Sequence, residues 1–197
     1  EGAEPWQRTE TIRAATERML DENGVLPLTI LRDGRPVELT IEGVPACRSR
    51  FEVGPGKRAV ADGHRIVLGQ DFVGIDYPDP LLAGLVAHEL AHNLLGHRKM
   101  FDRVGRSQGL VRLTERDADR MMPWLLYNAG YDPRAAARFM ARWGPKYGGG
   151  LLRDRSHDGW DERVEFIEAE IATLEAALAE DGEADWSRRF VRMAIPD

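Results

Sequence analysis

Three features are scarce in this sequence: cysteine, long apolar runs and excess positive charge. Cys47 is the one cysteine among 197 residues, which excludes an internal disulfide and leaves the redox compartment open. The longest purely apolar run, LLAGLVA at residues 81–87, is far shorter than the ~20 residues that a membrane-spanning helix needs. Acidic residues outnumber basic ones by 33 to 27, and the net charge of -6 disfavours nucleic acid as a partner. An initiator Met and a signal-type apolar segment are also missing, so we expect a processed or trimmed N-terminus.

The apolar pattern predicts strands early in the chain and helices after them. A hydrophobic share of 43% and a charged share of 30% are typical of a globular protein. Apolar and polar residues alternate on both sides of Asp33-Gly34, which predicts a β-hairpin, and Arg65–Leu68 is predicted to be a further strand. Because strands precede most helices, the predicted class is α+β, mostly helical with a small antiparallel sheet.

Helical periodicity covers most of the remaining chain. It predicts a first helix over residues 9–22 and four more after residue 78. Those four are expected from Asp79 to about Gly96, over about 112–128, after GYDP at 130–133, and from about Asp161 to Leu178. The segment WGPKYGGG is predicted to be a loop. We expect residues 1–45 to form a helix and hairpin, and residues 46–197 to form the main domain.

The stretch AHELAHNLLGH, residues 87–97, places three of the five histidines in and beside one predicted helix. Successive helical residues rotate by about 100°, so His88 and His92 lie about 40° apart on one face and can share a metal ion. Glu89 stands beside His88, where its carboxylate can take a proton from a water in the ion's open position. His97 would point about 180° away from His88 if the helix continued, which predicts a structural residue at the helix end.

A catalytic zinc takes three protein ligands and a water, so a third ligand must come from another part of the chain. The best candidate is Glu115 in TERDADRM, with Asp119 four residues later on the same helix face. Asp119 would accept the second ring N–H of a ligating histidine and fix its tautomer. The alternative is an ordinary solvated helix face, with ion pairs such as Asp117 with Arg120.

Four segments together resemble the gluzincin metallopeptidase family of HtpX, the CAAX prenyl proteases and the BepA-like periplasmic proteases. They are HELAHNLLGH, ERDAD, GYDPRAAARFM and SHDGWDERV, within a resemblance that covers about residues 45–175. The resemblance implies a zincin-like metalloprotease domain whose active-site helix contains HExxH, with one Zn²⁺ per chain bound by His88, His92 and Glu115. It also implies that Glu89 is the general base and that Asp119 supports a ligating histidine, His88.

The segment RAVADGHRIVLGQDFV is similar to the family's strand along the substrate cleft. The resemblance implies an edge strand, formed by Arg65, Ile66, Val67 and Leu68, to which a substrate peptide adds as another strand. Two residues depart from the family's pattern: Arg58, at the cleft edge, stands where the family often has Asn, and Asp158, in the 156–160 loop, stands where it has Pro after the later His.

His157 and Arg163 are candidate catalytic residues by their family positions. His157 is expected to face the metal, either binding the oxyanion or capping the zinc as a fourth ligand, which would make the enzyme latent. Its alternative is a surface-loop histidine, and His157→Ala is expected to change activity with little loss of metal. Arg163 is expected to stabilise the oxyanion or to hold this loop.

Residues 1–45 resemble the closing helix and strands of a PDZ domain, with RDG between alternating apolar residues. A PDZ domain needs about twice this length, so a PDZ remnant and a helix-hairpin packed on the main domain are equal hypotheses. Uncovered strand edges in this segment would need pairing, and a second copy of the chain would supply it as a homo-oligomer.

These observations predict a zinc-dependent endopeptidase with protein or peptide substrates, no nucleic-acid partner and no membrane span. The soluble periplasmic branch of the family implies an extracytoplasmic location, with membrane association through a removed N-terminal segment as one variant. The alternatives are a protease-like or PDZ-like scaffold or chaperone with structural zinc, and an α+β domain with chance histidines.

Overall fold

The computed structural model describes residues 5–44, 49–73, 78–147 and 158–193. The chain divides into two compact units, residues 1–47 and 48–197. Cys47 and His157 lie outside the described residues, so what the sequence predicts for them stays a prediction.

The first unit is a helix followed by a β-hairpin. Helix α1 (Pro5–Asn23) leads into strands β1 (Val25–Arg32) and β2 (Arg35–Glu42), which pair antiparallel. Asp33 and Gly34 have φ values of 53° and 76°, the left-handed conformation that a two-residue type I′ turn requires at both positions. The unit therefore contains the predicted helix and hairpin, and its relation to PDZ domains stays a prediction.

The second unit begins with a three-stranded sheet. Its strands are β3 (Arg50–Gly54), β4 (Ala59–Ala61) and β5 (Arg65–Gly69), in the spatial order β3-β5-β4. β4 pairs antiparallel with β5, whereas β3 pairs parallel with it. β5 is therefore the central strand, and β4 forms one outer edge of this sheet.

The regular elements in the rest of the second unit are helices, and together with the preceding strands they give the chain its α+β class. In chain order they are α2 (Gln70–Val73), α3 (Asp79–Leu94), α4 (His97–Val104), α5 (Gln108–Asn128), α6 (Ala135–Tyr147), α7 (Trp160–Asp181) and α8 (Trp186–Arg189). α5 starts four residues earlier than predicted because Ser107 caps it, with the Ser107 hydroxyl accepting the Leu110 N–H at 3.2 Å.

The end of α6 corrects one prediction, because residues 143–147 are helical where the sequence predicted a loop. Packing explains the extra turn. The Trp143 ring stacks on Phe139 at a centroid distance of 6.1 Å, and Gly144 lies so close to Trp160 that a Cβ would be 2.3 Å from the Trp160 Cβ. These contacts fix residues whose Gly-Pro composition alone favours a loop.

The core lies where α3, α5, α6 and α7 pack against each other and against β5. Gly84 on α3 permits a close approach of α6, since a Cβ there would be 3.0 Å from the Phe139 Cβ. Met121, Met122 and Trp124 on α5 are fully buried and belong to the core. The packing fixes α3 beside α5, the two helices that contain the candidate ligands.

Candidate metal centre

The close approach of α3 and α5 rests on small residues at their interface. Ala91 on α3 and Ala118 on α5 are both completely buried in one apolar cluster. Small side chains at facing positions let two helices pack with little separation. The polar side chains one turn away on each helix are consequently brought within contact distance.

Three of those polar side chains converge on one point. His88 Nε2 lies 3.4 Å from Glu115 Oε2, His92 Nε2 lies 3.5 Å from Glu115 Oε1, and the two histidine Nε2 atoms are 3.3 Å apart. Ligand atoms around a tetrahedral zinc, each about 2.0–2.1 Å from the ion, stand about 3.3–3.4 Å from one another. Each histidine faces a different oxygen of Glu115, and one donor atom from each of the three residues lies within 4.8 Å of the other two, so the group could hold a metal ion.

Asp119 supports His88 from behind this group. Its Oδ1 lies 3.0 Å from His88 Nδ1, a hydrogen-bonding distance, although the ring N–H is not aligned on the oxygen. Asp119 is completely buried and accepts two hydrogen bonds from Arg163, at 2.6 Å from Nε and 2.7 Å from Nη2. Burial opposes ionisation, but the Arg163 guanidinium holds the pKa of Asp119 below its usual value.

The pKa values of the three neighbouring histidines shift in different directions: that of His88 is raised, and those of His92 and His97 are lowered. Burial alone would lower the pKa of His88, but the Asp119 and Glu115 carboxylates raise it to about 10. Burial lowers the pKa of His92 to about 4. Burial, together with the nearby His92 ring, lowers the pKa of His97 to about 2. His92 and His97 are therefore neutral near pH 7, whereas His88 is protonated on both ring nitrogens and positively charged.

Glu89 faces the outer strand of the sheet. It follows His88 directly on α3, is half-buried, and its carboxylate lies near enough to the Ala61 backbone N–H of β4 for that N–H to act on its pKa. Burial raises the pKa of Glu89, and the proximity of Glu115 adds to that effect. A carboxylate with a raised pKa, next to a candidate ligand, is suited to exchanging protons.

The strand beside Glu89 corrects the sequence-based assignment of the substrate edge. Arg65, Ile66, Val67 and Leu68 were predicted to form an edge strand, but they lie in β5, which pairs with β3 on one side and with β4 on the other. A strand paired on both sides has no backbone groups left for a peptide. The outer strand next to Glu89 is β4.

Asn93 fastens this sheet to α3. Its Oδ1 accepts the Gly63 N–H at 2.8 Å, and its Nδ2 donates to Ser49 Oγ at 3.0 Å and to the Arg65 carbonyl at 3.3 Å. The β4–β5 turn is thereby fixed to the same helix that contains Glu89. The sequence did not predict a role for Asn93, because its position five residues after His88 gives no sign of these hydrogen bonds to the sheet.

Arg163, predicted to stabilise the oxyanion or to hold the loop that contains His157, contacts two carboxylates of the site. It is buried, with 6% of its surface exposed, and its Nε and Nη2 atoms are both hydrogen-bonded to Asp119. Arg163 also lies 3.7 Å from Glu115 Oε2. These contacts make it a residue that positions Asp119 and Glu115, rather than one that reaches a substrate.

Asp158, two residues before α7, pairs with another arginine. Arg116 donates to Asp158 through Nε at 2.6 Å and Nη2 at 2.9 Å, and Asp158 is buried. Asp158 thus forms a bidentate ion pair with α5. His157, one residue earlier, lies outside the described residues, so its capping role stays a prediction.

His97 lies at the helix end, as predicted, and also contacts the site. α3 ends at Leu94, Gly96 turns the chain with a φ of 66°, and His97 begins α4. His97 Nδ1 lies 2.8 Å from His92 Nδ1. The prediction that His97 points away assumed a continuous helix. Glycine favours the left-handed conformation that ends a helix, so Gly96 was the signal that could have revealed the contact between His97 and His92.

Comparisons of the chain with protein-family models, with curated proteins and with solved structures find no match. Within the part of the chain that the structure describes, no helix is both long enough and apolar enough to cross a membrane.

Proposed function

We propose that this chain is a zinc-dependent endopeptidase of the gluzincin type, with a zincin-like catalytic unit. The observation that supports the proposal most directly is the convergence of the three side chains: the His88 and His92 Nε2 atoms are 3.3 Å apart, and each lies 3.4–3.5 Å from one oxygen of the Glu115 carboxylate. Two imidazoles and one carboxylate are a ligand set found at the catalytic zinc of peptidases. The resemblance of the flanking segments to that family supports the same assignment.

The donor set also favours zinc over other ions. Imidazole nitrogen suits zinc and other late first-row metals, whereas magnesium and calcium prefer oxygen ligands throughout. Zinc bound by His88, His92 and Glu115 would supply Lewis-acid polarisation of a peptide carbonyl and would acidify a water in its fourth position.

Glu89 is the proposed general base. Its carboxylate takes a proton from the attacking water and delivers that proton to the nitrogen of the departing amine. The raised pKa of Glu89 favours both transfers, because a general base works best when its pKa lies closer to the pH of the reaction. The nearby Ala61 N–H favours the ionised carboxylate, which the role of base requires, at the end of the site that faces β4.

The proposed substrate is an extended peptide that pairs with the outer edge of β4. The Ala61 N–H points to Glu89 and therefore away from β5. Among the strands that the structure describes, none pairs with that edge. A peptide added there would lie beside Glu89, which is the geometry that cleavage of its backbone requires. A periplasmic location is proposed from the family resemblance.

Glu89→Gln tests the proposal. The variant should retain one zinc per chain, measured by metal analysis after stripping with a chelator and reloading, and should lose ~10²–10⁴-fold in cleavage of an unfolded protein. Glu168→Gln, the same change at an exposed site on α7, is the control and should match the parent.

The assay is repeated in a His157→Ala background, so that a capped zinc cannot hide the activity. The peptidase assignment is wrong if zinc-loaded parent and His157→Ala proteins both fail to cleave, or if Glu89→Gln cleaves as fast as its parent. Zinc binding without cleavage would instead support a scaffold with structural zinc.

A further inference from the structure

His97 is almost completely buried and its ring meets the back of His92. One per cent of the His97 surface is exposed. The two rings meet edge to face, with centroids 4.9 Å apart and an interplanar angle of 74°. The 2.8 Å distance between the two Nδ1 atoms is short enough for a direct hydrogen bond.

A hydrogen bond between two Nδ1 atoms needs one proton and one lone pair. His92 Nε2 faces Glu115 and His88, so a metal there requires the Nε2 lone pair and leaves the His92 proton on Nδ1. His97 Nδ1 must then be the acceptor, with its own proton on Nε2. In the opposite arrangement, His97 donates and His92 is protonated on Nε2, which prevents ligation.

We propose that His97 is a positioning residue of the metal centre: its Nδ1 accepts the His92 Nδ1–H and holds His92 in the tautomer whose Nε2 binds the ion. This inference rests on the proposed metal site. It assigns each ligating histidine its own support, the carboxylate of Asp119 for His88 and the neutral imidazole of His97 for His92.

The environment of His97 fits an acceptor and not an additional ligand. Its Nδ1 contacts the Nδ1 of His92, on the opposite side of that ring from the metal-facing Nε2. Its Nε2 is buried and, among the residues that the structure describes, has no hydrogen-bond partner. Burying an unpaired N–H destabilises the folded state, so packing alone would favour an apolar residue at this position. The contact with His92 accounts for a histidine there.

Two substitutions separate the acceptor from the volume of the ring. His97→Phe keeps an aromatic ring but removes the acceptor, and should weaken zinc binding by ~10–100-fold in competition with a chelating indicator. His97→Asn keeps an acceptor near the Nδ1 position and should restore most of that affinity. His64→Phe, at an exposed histidine in the turn before β5, is the control and should bind zinc like the parent.

The tautomer itself gives a readout that does not depend on any variant. Two-bond ¹H–¹⁵N spectra of the zinc-loaded parent should show His97 protonated on Nε2 and unprotonated on Nδ1. A proton on His97 Nδ1 would overturn the inference, as would parental affinity in His97→Phe or equal losses in the Phe and Asn variants. If the parent itself binds no zinc, the metal site is refuted, and the role of His97 with it.

Discussion

Two buried polar networks join the same pair of helices, α5 and α7, and they differ in what they face. In the first, Arg163 on α7 is hydrogen-bonded to Asp119 on α5, and Asp119 in turn contacts His88. In the second, Glu170 on α7 accepts hydrogen bonds from Trp124 at 2.9 Å and from Arg120 Nε at 2.8 Å.

Burial does not distinguish the two networks, since both contain ionised groups with almost no exposed surface. The first ends at a group of imidazole and carboxylate donors that converge on one point. In the second, both carboxylate oxygens of Glu170 are used by α5, and Arg120 also lies 3.6 Å from Asp117 on the same helix. Buried charge alone therefore identifies packing between helices, and convergence of donor atoms identifies the candidate site.

The largest expected effect within the first network comes from removing a ligand. Glu115→Gln replaces an anionic oxygen with a neutral amide, so zinc affinity should fall by more than the ~100-fold typical of changes behind a ligand. Affinity is measured by competition with a chelating indicator, with Glu168→Gln as the control. Unchanged affinity would remove Glu115 from the site.

The next largest effect on zinc affinity is expected at Asp119, and Asp117, two residues earlier on α5, provides the comparison. Asp119→Asn should weaken zinc binding by ~10–100-fold, because the amide cannot replace the charge that His88 and Arg163 contact. Asp117→Asn makes the same change at an equally buried position, where the carboxylate accepts the Met193 N–H. Equal losses in the two variants would show a general effect of burial and not a specific role for Asp119.

The second network should affect stability without affecting metal binding. Glu170→Gln removes a buried, charge-assisted hydrogen bond to Arg120 and should lower the free energy of unfolding by about 1–3 kcal/mol. Chemical denaturation measures that change, and zinc competition in native buffer should give the parental affinity. A loss of zinc affinity in the folded variant would contradict the separation of the two networks.

The smallest effect is the release of a proton on zinc binding. At pH 6 in chelator-stripped protein, His88, with a pKa of about 10, is protonated, whereas His92, with a pKa of about 4, is neutral. Zinc needs neutral imidazoles, so loading should release about one proton, and affinity should increase as pH rises toward 10. A water on zinc, with a pKa near 7, contributes little at pH 6.

Titration calorimetry in buffers of different ionisation enthalpy counts that proton. Asp119→Asn should reduce the number released, because the Asp119 carboxylate helps to keep His88 protonated. Release of no proton by the parent would contradict the assigned charge of His88.

The sequence predicted the elements that depend on local periodicity. The helix with His88 and His92, the helix with Glu115 and Asp119, and the hairpin around Asp33-Gly34 all follow from spacing and turn residues. A metal group of His88, His92 and Glu115 follows as well, because residues four apart on a helix share a face and zinc requires a third ligand from elsewhere.

The features that the sequence did not predict depend on contacts between distant segments. The central position of β5 results from pairing with β3 and β4, which no local pattern specifies. Arg163 is 44 residues from Asp119, and its burial against that carboxylate appears only when α5 and α7 pack. The His92–His97 contact depends on the chain reversal at Gly96, because a straight helix would separate these side chains.

The most direct test of the account is a crystal structure of the zinc-loaded protein with anomalous diffraction at the zinc edge. The account predicts one anomalous peak per chain between His88 Nε2, His92 Nε2 and Glu115, with ligand distances of about 2.0–2.2 Å. A peak at other residues, or no peak in protein saturated with zinc, would contradict it.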